Sequence, residues 1–377
     1  MAQYYVDGTI TSASGTGSGT LADPWGKTDD LIQFAIDQIM LGSGAGSTGD
    51  WINIVAGNIN QTTSLNLLSY NPNNGRQLTI LGYNGHQPTY DLGGVTWSNV
   101  HYDGIRLHNI RFVNFIAITN QFAIRLKYHG SVSFCVFDGE NQPHATVLRI
   151  EGEVNILGCQ FINFSPTAGL HQTLIYSGSS GGNWLKGCYF EKGGVNDYYM
   201  IFSYNTVIVD CVFVYTGSNN MAYAILPIRQ ARVSNCTFYR SPTAGQFYPI
   251  YFSTYQNNSM VNCYFENVTD ISYNNSVSVN GNISTMLSGN RAYNSATLHP
   301  TQNLLPCDTL IYYDNDWDIS ESLLIDPANG DYRPKAGLIG AGFNLQDYGF
   351  PSSIKKQDPT IGAITNNIMP PRVRDIF

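Results

Sequence analysis

The sequence VSFCVFDG, residues 132–139, decides the fold because the chain repeats its pattern. An aliphatic residue, two variable residues, Cys, one variable residue and Phe recur in ILGCQFIN (156–163), LKGCYFEK (185–192), IVDCVFVY (208–215), VSNCTFYR (233–240) and MVNCYFEN (260–267). The cysteines stand at positions 135, 159, 188, 211, 236 and 263, a period of about 25 residues. Self-similarity at such a period is typical of a repeat architecture.

Each repeat contains short strands. Apolar residues two positions apart, such as Ile124 and Leu126 or Leu148 and Ile150, precede the Cys motif, and a spacing of two is the period of a β-strand. A coil of about 25 residues with short strands and no helix predicts an all-β chain folded as a right-handed parallel β-helix, a solenoid whose turns stack about 4.8 Å apart. Equivalent side chains should then form a Cys column and a Phe column in the core.

The cysteines are predicted to be buried free thiols. The chain has seven, an odd number, and none of them forms a C-x-x-C pair. Free Cys behaves as a small apolar residue, which suits a position beside a stacked Phe. The sequence therefore predicts neither a disulfide framework nor a metal site, and it predicts no cofactor.

Composition narrows the class of partner. Charged residues make up 12% of the 377 residues, and the net charge is −8. Such a chain is poorly suited to nucleic acid or an anionic membrane, and it contains no run of about 18 apolar residues. Residues 1–15 lack the basic and apolar regions of a secretory leader. We therefore expect synthesis in the cytoplasm, with secretion as the alternative if a leader was removed.

The two ends are predicted to cap the solenoid, because an open stack exposes core and strand edges. TDDLIQFAIDQIMLG, residues 28–42, has apolar residues at helical spacing and predicts a capping helix. We assign residues 1–50 to a strand, loop and capping helix, 51–349 to the rungs, and the proline-rich segment 350–377 to an extended arm. Val373, Ile376 and Phe377 at its end are candidates for docking on a neighbour, with a frayed tail as the alternative.

The ends also resemble a known superfamily. YYVDG (4–8), DWINIVAGN (50–58), NGDYRPKAGLIGAGFN (329–344) and DPTIGAI (358–364) look like the entry and closing segments of pectate-lyase-like right-handed β-helix proteins. Within that superfamily the sequence most resembles phage virion-associated β-helix proteins. The resemblance implies the fold and leaves the activity open, because the superfamily holds lyases, hydrolases, esterases, tailspikes and non-catalytic virion proteins.

Candidate site residues come from the positions between the paired apolar residues, which should face outward. Arg106, Arg125 and Arg149 are predicted to form a column on adjacent rungs, where their repulsion requires an acidic group. That group could be an acidic glycan, a partner surface, or an acid of this chain from the same region: Asp138, Glu140, Glu151 or Glu153. Ile201 and Tyr251 are predicted to form an outward apolar stripe, hence an interface. No catalytic residue is predicted.

These features favour a non-enzymatic structural or attachment component of a bacteriophage virion, such as a capsid decoration protein, head fibre or tail-associated protein. Its expected partners are other virion proteins or identical subunits, including a homotrimer, and a cell-surface glycan. A polysaccharide lyase or glycoside hydrolase, free or as a tailspike, is the second hypothesis. A glycan-binding module without catalysis is the third.

Overall fold

The structure is a computed structural model. It describes residues 2–42, 49–65, 77–95, 104–115, 122–127, 129–142, 144, 146–164, 173–178, 182–193, 199–218, 222–251, 258–269, 272–273, 284–288, 290–295, 309–313 and 316–335. These residues fall into two compact units, Met1–Asn183 and Trp184–Phe377. The predicted arm, 350–377, lies outside the described residues, and so do Val373, Ile376 and Phe377.

Within its described residues, the first unit contains one helix and fourteen complete strands. They are β1 (Ala2–Asp7), α1 (Leu31–Gly42), β2 (Asp50–Ala56), β3 (Ile59–Asn60), β4 (Leu78–Gly82), β5 (Thr89–Asp91), β6 (Ile105–His108), β7 (Arg111–Val113), β8 (Phe122–Lys127), β9 (Gly130–Ser133), β10 (Val136–Asp138), β11 (Thr146–Glu151), β12 (Val154–Leu157), β13 (Gln160–Phe164) and β14 (Ile175–Ser177). Three parallel ladders result: β1–β2–β4–β6–β9–β12, β8–β11–β14 and β3–β5–β7–β10–β13.

The second unit repeats the arrangement. Its strands are β15 (Gly182–Lys186), β16 (Tyr189–Lys192), β17 (Tyr199–Val209), β18 (Val212–Tyr215), β19 (Ala222–Ser234), β20 (Thr237–Arg240), β21 (Phe247–Tyr251), β22 (Asn258–Val261), β23 (Tyr264–Glu266), β24 (Ser272–Tyr273), β25 (Ser284–Ser288), β26 (Arg291–Tyr293), β27 (Thr309–Tyr313), β28 (Asp316–Ile319), β29 (Leu324–Asp326) and β30 (Asp331–Pro334), with a 3-10 helix at Pro327–Asn329. The ladder β16–β18–β20–β23–β26–β28 is parallel, whereas β29 and β30 pair antiparallel.

The repeat produces the predicted core columns in both units. Phe137 stacks on Phe161 with ring centroids 4.6 Å apart, and Phe213 stacks on Phe238 at 4.9 Å. The six motif cysteines of the described residues are all buried and free. Each rung is a right-handed parallel β-helix turn, so the predicted fold class and the predicted thiol state are confirmed.

The residue before each Cys makes the bend between two strands. Asp210, Asn235 and Asn262 have φ between 50° and 55°, and Gly158 and Gly187 have φ of 60° and 64°. Asn, Asp and Gly tolerate this left-handed conformation, which explains their recurrence in the motif. The rung that begins the repeat departs from the rule, because Phe134 occupies its bend with φ 55°.

The predicted helix begins later than its sequence indicates. It starts at Leu31, with Leu31, Ile32, Ala35, Ile36 and Ile39 buried. Asp30 precedes it with φ 54°, and its carboxylate accepts hydrogen bonds from the Thr62 amide and hydroxyl and from the Thr63 amide. Asp30 therefore ties the helix entry to the loop after β3. No helix among the described residues is both long enough and apolar enough to cross a membrane.

Candidate functional site

Two of the three predicted arginines lie side by side. Arg125 on β8 is in register with Arg149 on β11, and Arg149 is in register with Tyr176 on β14. Their strand neighbours, such as Leu148 and Ile150, are fully buried, whereas both arginines are partly exposed. The two guanidinium groups therefore share the outer face of the β8–β11–β14 ladder.

Arg106 does not belong to this column, so the three-residue prediction was wrong. It lies on β6, in register with Thr79 and Ser131. In the next two rungs the apolar pair precedes the aliphatic motif residue, Val132 or Ile156, by eight and six positions. Ile105 and Leu107 lie instead on the strand that carries the motif. Leu107 is the aliphatic residue of that motif, because it is in register with Val132, the aliphatic residue of another.

Glu151 bridges the two adjacent arginines. One carboxylate oxygen lies 2.5 Å from Arg125 Nη2, and the other lies 2.8 Å from Arg149 Nε. For this pair the acidic group belongs to this chain, which is one of the alternatives that the sequence left open. Two guanidinium groups and one carboxylate leave one net positive charge.

Aromatic rings hold Arg149 on both sides. Its guanidinium carbon lies 5.0 Å from the Phe122 ring centroid and 5.6 Å from that of Tyr176, within the range of cation–π attraction. Arg125 also lies over Phe122, at 5.7 Å. We call Phe122, Arg125, Arg149, Glu151 and Tyr176 the arginine–aromatic cluster.

The cluster is open to solvent at Arg149, whose side chain is 35% exposed, while that of Arg125 is 17% exposed. Within the described residues no acceptor is placed against the Nη atoms of Arg149. A Cβ built on Gly178 would lie 3.0 Å from the Tyr176 ring and 3.8 Å from Arg149 Nε, so a glycine keeps this edge clear. The arrangement can present a fixed guanidinium fork to a carboxylate of a ligand.

Sequence reasoning missed Phe122 and Tyr176. Tyr176 lies between Ile175 and Ser177. Other rungs have apolar residues at both flanking positions, and the polar Ser177 made this rung difficult to recognise. The period itself was the available signal, since Ile175 follows Leu148 by one repeat and pairs with it.

The predicted apolar stripe is wrong at Ile201. This residue is fully buried within the chain and is in register with Ile225 and Ile250, which are also fully buried. It therefore belongs to a core column. The side chain of Tyr251, the other member of the stripe, lies outside the described residues.

A second polar cluster lies in the second unit, under the segment 322–335, which we call the C-terminal strap. The buried carboxylate of Glu266 accepts hydrogen bonds from Tyr264 Oη at 2.8 Å and from the strap residue Ser322 at 2.6 Å. Lys335 Nζ donates to the Ser322 carbonyl at 2.7 Å. Tyr332 packs between Tyr189 and Tyr239, with centroid distances of 6.0 and 5.1 Å. The Lys335 bond joins two residues of the strap, whereas the contacts of Ser322 and Tyr332 anchor the strap to β16, β20 and β23.

The strap should make stability depend on pH. Burial raises the pKa of Glu266 above its ordinary value, against the lowering effects of the Ser322 and Tyr264 hydrogen bonds and of Lys335. An unfolded Glu titrates near about 4.3, so the native state favours the neutral acid, and the Glu266 contribution is fully present below that pH. It should be lost as pH rises through the raised native pKa.

Glu266→Gln tests this dependence. The difference in unfolding free energy between wild type and Glu266→Gln, measured by urea titration at several pH values, should fall as pH rises above about 4.3. Glu191→Gln is the control, because Glu191 accepts a similar hydrogen bond from Tyr189 but does not contact the strap in the described residues. A flat difference curve for Glu266→Gln would show that the acid is not linked to folding.

The other carboxylates are less accessible or scattered. Asp138 is buried and held by Arg111 Nη2 at 2.7 Å and by Asn163 Nδ2 at 2.9 Å. Among the described residues, no three His, Cys, Asp or Glu side chains are grouped as metal ligands. The arginine–aromatic cluster is therefore the better candidate for ligand binding.

No protein-family model matches the sequence. No curated protein matches it significantly either. Among solved structures, the chain is similar to pectate lyase Pel9A, with a TM-score of 0.54 and 12% identity over 97% of each chain. A rhamnogalacturonan lyase (TM-score 0.48, 12% identity) covers 86% of this chain and 91% of its own. A pectin methylesterase from Aspergillus niger (TM-score 0.36, 13% identity) covers 81% and 90%. At this identity the match to Pel9A shows the fold alone: the chain is a parallel β-helix similar in fold to that pectate lyase.

Proposed function

We propose that this protein binds an acidic polysaccharide, of the uronate class, at the arginine–aromatic cluster. The observation that carries the proposal is the geometry of Arg149. Its guanidinium is held between Phe122 and Tyr176, is 35% exposed, and shares Glu151 with Arg125. A ring-held fork loses little freedom when it pairs with a carboxylate, and Tyr176 offers an adjacent ring for a sugar.

The net charge of the arginine–aromatic cluster indicates the chemical class of its ligand. The cluster retains one net positive charge on a chain whose overall charge is −8, so an acidic ligand must be recognised locally. Its attraction should be weakened by salt, because the charges lie at the surface. The pectate lyase fold, shared with Pel9A, supports pectate as the first probe.

The wider role stays a prediction. Attachment by a bacteriophage virion protein to a cell-surface glycan would use such a site. One of the grounds for a virion role, the exposed stripe, is weakened because Ile201 is buried. Cleavage of the bound polysaccharide is the second candidate function, favoured by the fold shared with a pectate lyase.

Calorimetric titration with pectate tests the proposal. Arg149→Gln should raise the Kd at least about tenfold, since a charge-assisted pair contributes about 1.5–3 kcal/mol. Arg333→Gln is the matched control, because it removes the same charge from an exposed arginine that pairs with Asp331 in the other unit. Fully methyl-esterified pectin, whose carboxyl groups are neutral, should bind much more weakly.

Equal binding of the esterified polymer, or equal affinity of Arg149→Gln and wild type, would contradict the proposal. The same samples decide between binding and cleavage. Formation of unsaturated uronate ends, followed by ultraviolet absorbance, would establish a lyase, and an unchanged polymer would favour a binding protein.

A further inference from the structure

Phe134 stands where the fold favours a different residue. It makes the bend before Cys135 with φ 55°, a conformation that costs stability for a bulky side chain. The equivalent bends use Asn109, Asn235 and Asn262, or Gly and Asp. Phe134 is the one apolar residue among the described non-glycine residues with positive φ.

The ring does not compensate for this strain by packing into the core. Phe134 is 45% exposed, and Leu157 beside it on the next rung is 38% exposed. The Phe134 amide donates to the Leu157 carbonyl at 2.9 Å, so the two residues are neighbours at the bend. A strained backbone that displays a ring to solvent indicates a role for the ring outside folding.

Polar groups surround the ring. His108 meets it edge to face, with centroids 5.5 Å apart, and His108 Nδ1 lies 2.8 Å from Ser133 Oγ. Gln87 Nε2 donates to Asn109 Oδ1 at 3.3 Å and to the Phe134 carbonyl at 3.4 Å. Burial lowers the pKa of His108, so its imidazole is neutral at pH 7 and Nε2 can bond a hydroxyl.

We propose that Phe134 is a stacking platform for a sugar ring of a neutral glycan, with His108 as the adjacent hydrogen-bonding group. This inference rests on the proposed glycan-binding function and adds a second, uncharged site in the same unit. The exposed apolar surface of the patch comes from two side chains. That surface is far smaller than the roughly 800 Å² that each partner buries in a stable protein interface. A single ring with amide, imidazole and hydroxyl groups at its rim instead matches the apolar face and hydroxyl rim of one sugar.

Phe134→Asn separates binding from folding. Asn occupies the same bend in three other rungs, so the variant should fold and its Tm should rise by about 2 °C as strain is relieved. Its affinity for galactotetraose, cellotetraose or mannotetraose, whichever wild type binds best in ligand-observed NMR, should fall at least about tenfold. Asp210→Asn is the control, because it changes the equivalent bend of another rung without removing a ring.

Unchanged affinity of Phe134→Asn, or no binding of any of the three tetrasaccharides by wild type, would overturn the inference. Self-association of wild type in sedimentation that Phe134→Asn abolishes would also overturn it, because the occupant would then be a second copy. Pectate titrations of the same variants keep the two proposals apart. Pectate binding should be unchanged in Phe134→Asn and weakened in Arg149→Gln. If wild type does not bind pectate, that result would count against the arginine–aromatic cluster and not against Phe134.

Discussion

Phe213→Ala is expected to lower the free energy of unfolding by about 3–5 kcal/mol. Phe213 is fully buried and stacks on Phe190 and Phe238 at 4.9 Å on each side, with interplanar angles of 7° and 6°. The rungs above and below are fixed by the parallel ladder and cannot collapse into the cavity. The loss of stability should therefore include both the transfer free energy of the deleted ring and the cost of the cavity that it leaves.

Phe202→Ala is the matched control in the same unit. Phe202 is half-buried, and its described ring neighbour, Tyr199, lies 6.2 Å away. The same truncation should cost about 1 kcal/mol there. Urea unfolding of both variants measures the difference, and similar losses for the two would show that the Phe column does not dominate the core.

Tyr332→Ala should release the C-terminal strap, at a cost of about 3 kcal/mol. The buried Tyr332 ring lies between Tyr189 and Tyr239. Its loss would leave the strap held by the buried Leu324 and by two hydrogen bonds, from Ser322 Oγ to Glu266 and from the Leu323 amide to Tyr264 Oη. Two such hydrogen bonds contribute less than the packing of a buried aromatic ring.

Amide hydrogen exchange locates this effect. The Lys335 amide donates to the Leu323 carbonyl, and the Leu323 amide donates to Tyr264 Oη, so both should lose protection in Tyr332→Ala. Arg333→Ala removes an exposed neighbour on the same strand and should leave both protected. Full protection of Leu323 and Lys335 in Tyr332→Ala would contradict the anchoring role of the ring.

The core could be predicted from the sequence because the repeated motif consists largely of the core residues themselves. Each rung presents the same cavity to the next, so Cys and Phe recur at fixed positions, and the bend residues recur as Asn, Asp or Gly because only these adopt positive φ at low cost. The exception is visible in the sequence as Phe134 before Cys135, but only the structure shows that Phe134 keeps the bend with a positive φ.

The outer face was less predictable, because inward and outward positions depend on parity and parity changes within a strand. Along β17, Ile208 and Thr206 are buried, but so are Ser203 and Ile201, so the inward set changes from even to odd numbers near Tyr204. The register of β17 with β19 shifts between Ser203 and Asn205. Counting back from the motif therefore placed Ile201 outside.

The arginines illustrate the same limit. Arg125 and Arg149 were placed correctly because Leu148 and Ile150 flank Arg149 at the regular distance before the motif. Arg106 was misplaced because its rung shows only the motif strand among the described residues. The partners of the pair, Phe122 and Tyr176, are brought beside Arg149 by strand register rather than by local sequence.

A crystal structure of the protein with a pectate trisaccharide would show whether Arg149 binds a uronate. We expect a uronate carboxylate within hydrogen-bonding distance of Arg149, about 2.7–2.9 Å from its nitrogens, and a sugar ring against Tyr176. A trisaccharide bound on another face, with Arg149 still contacting only Glu151, Phe122 and Tyr176, would contradict it.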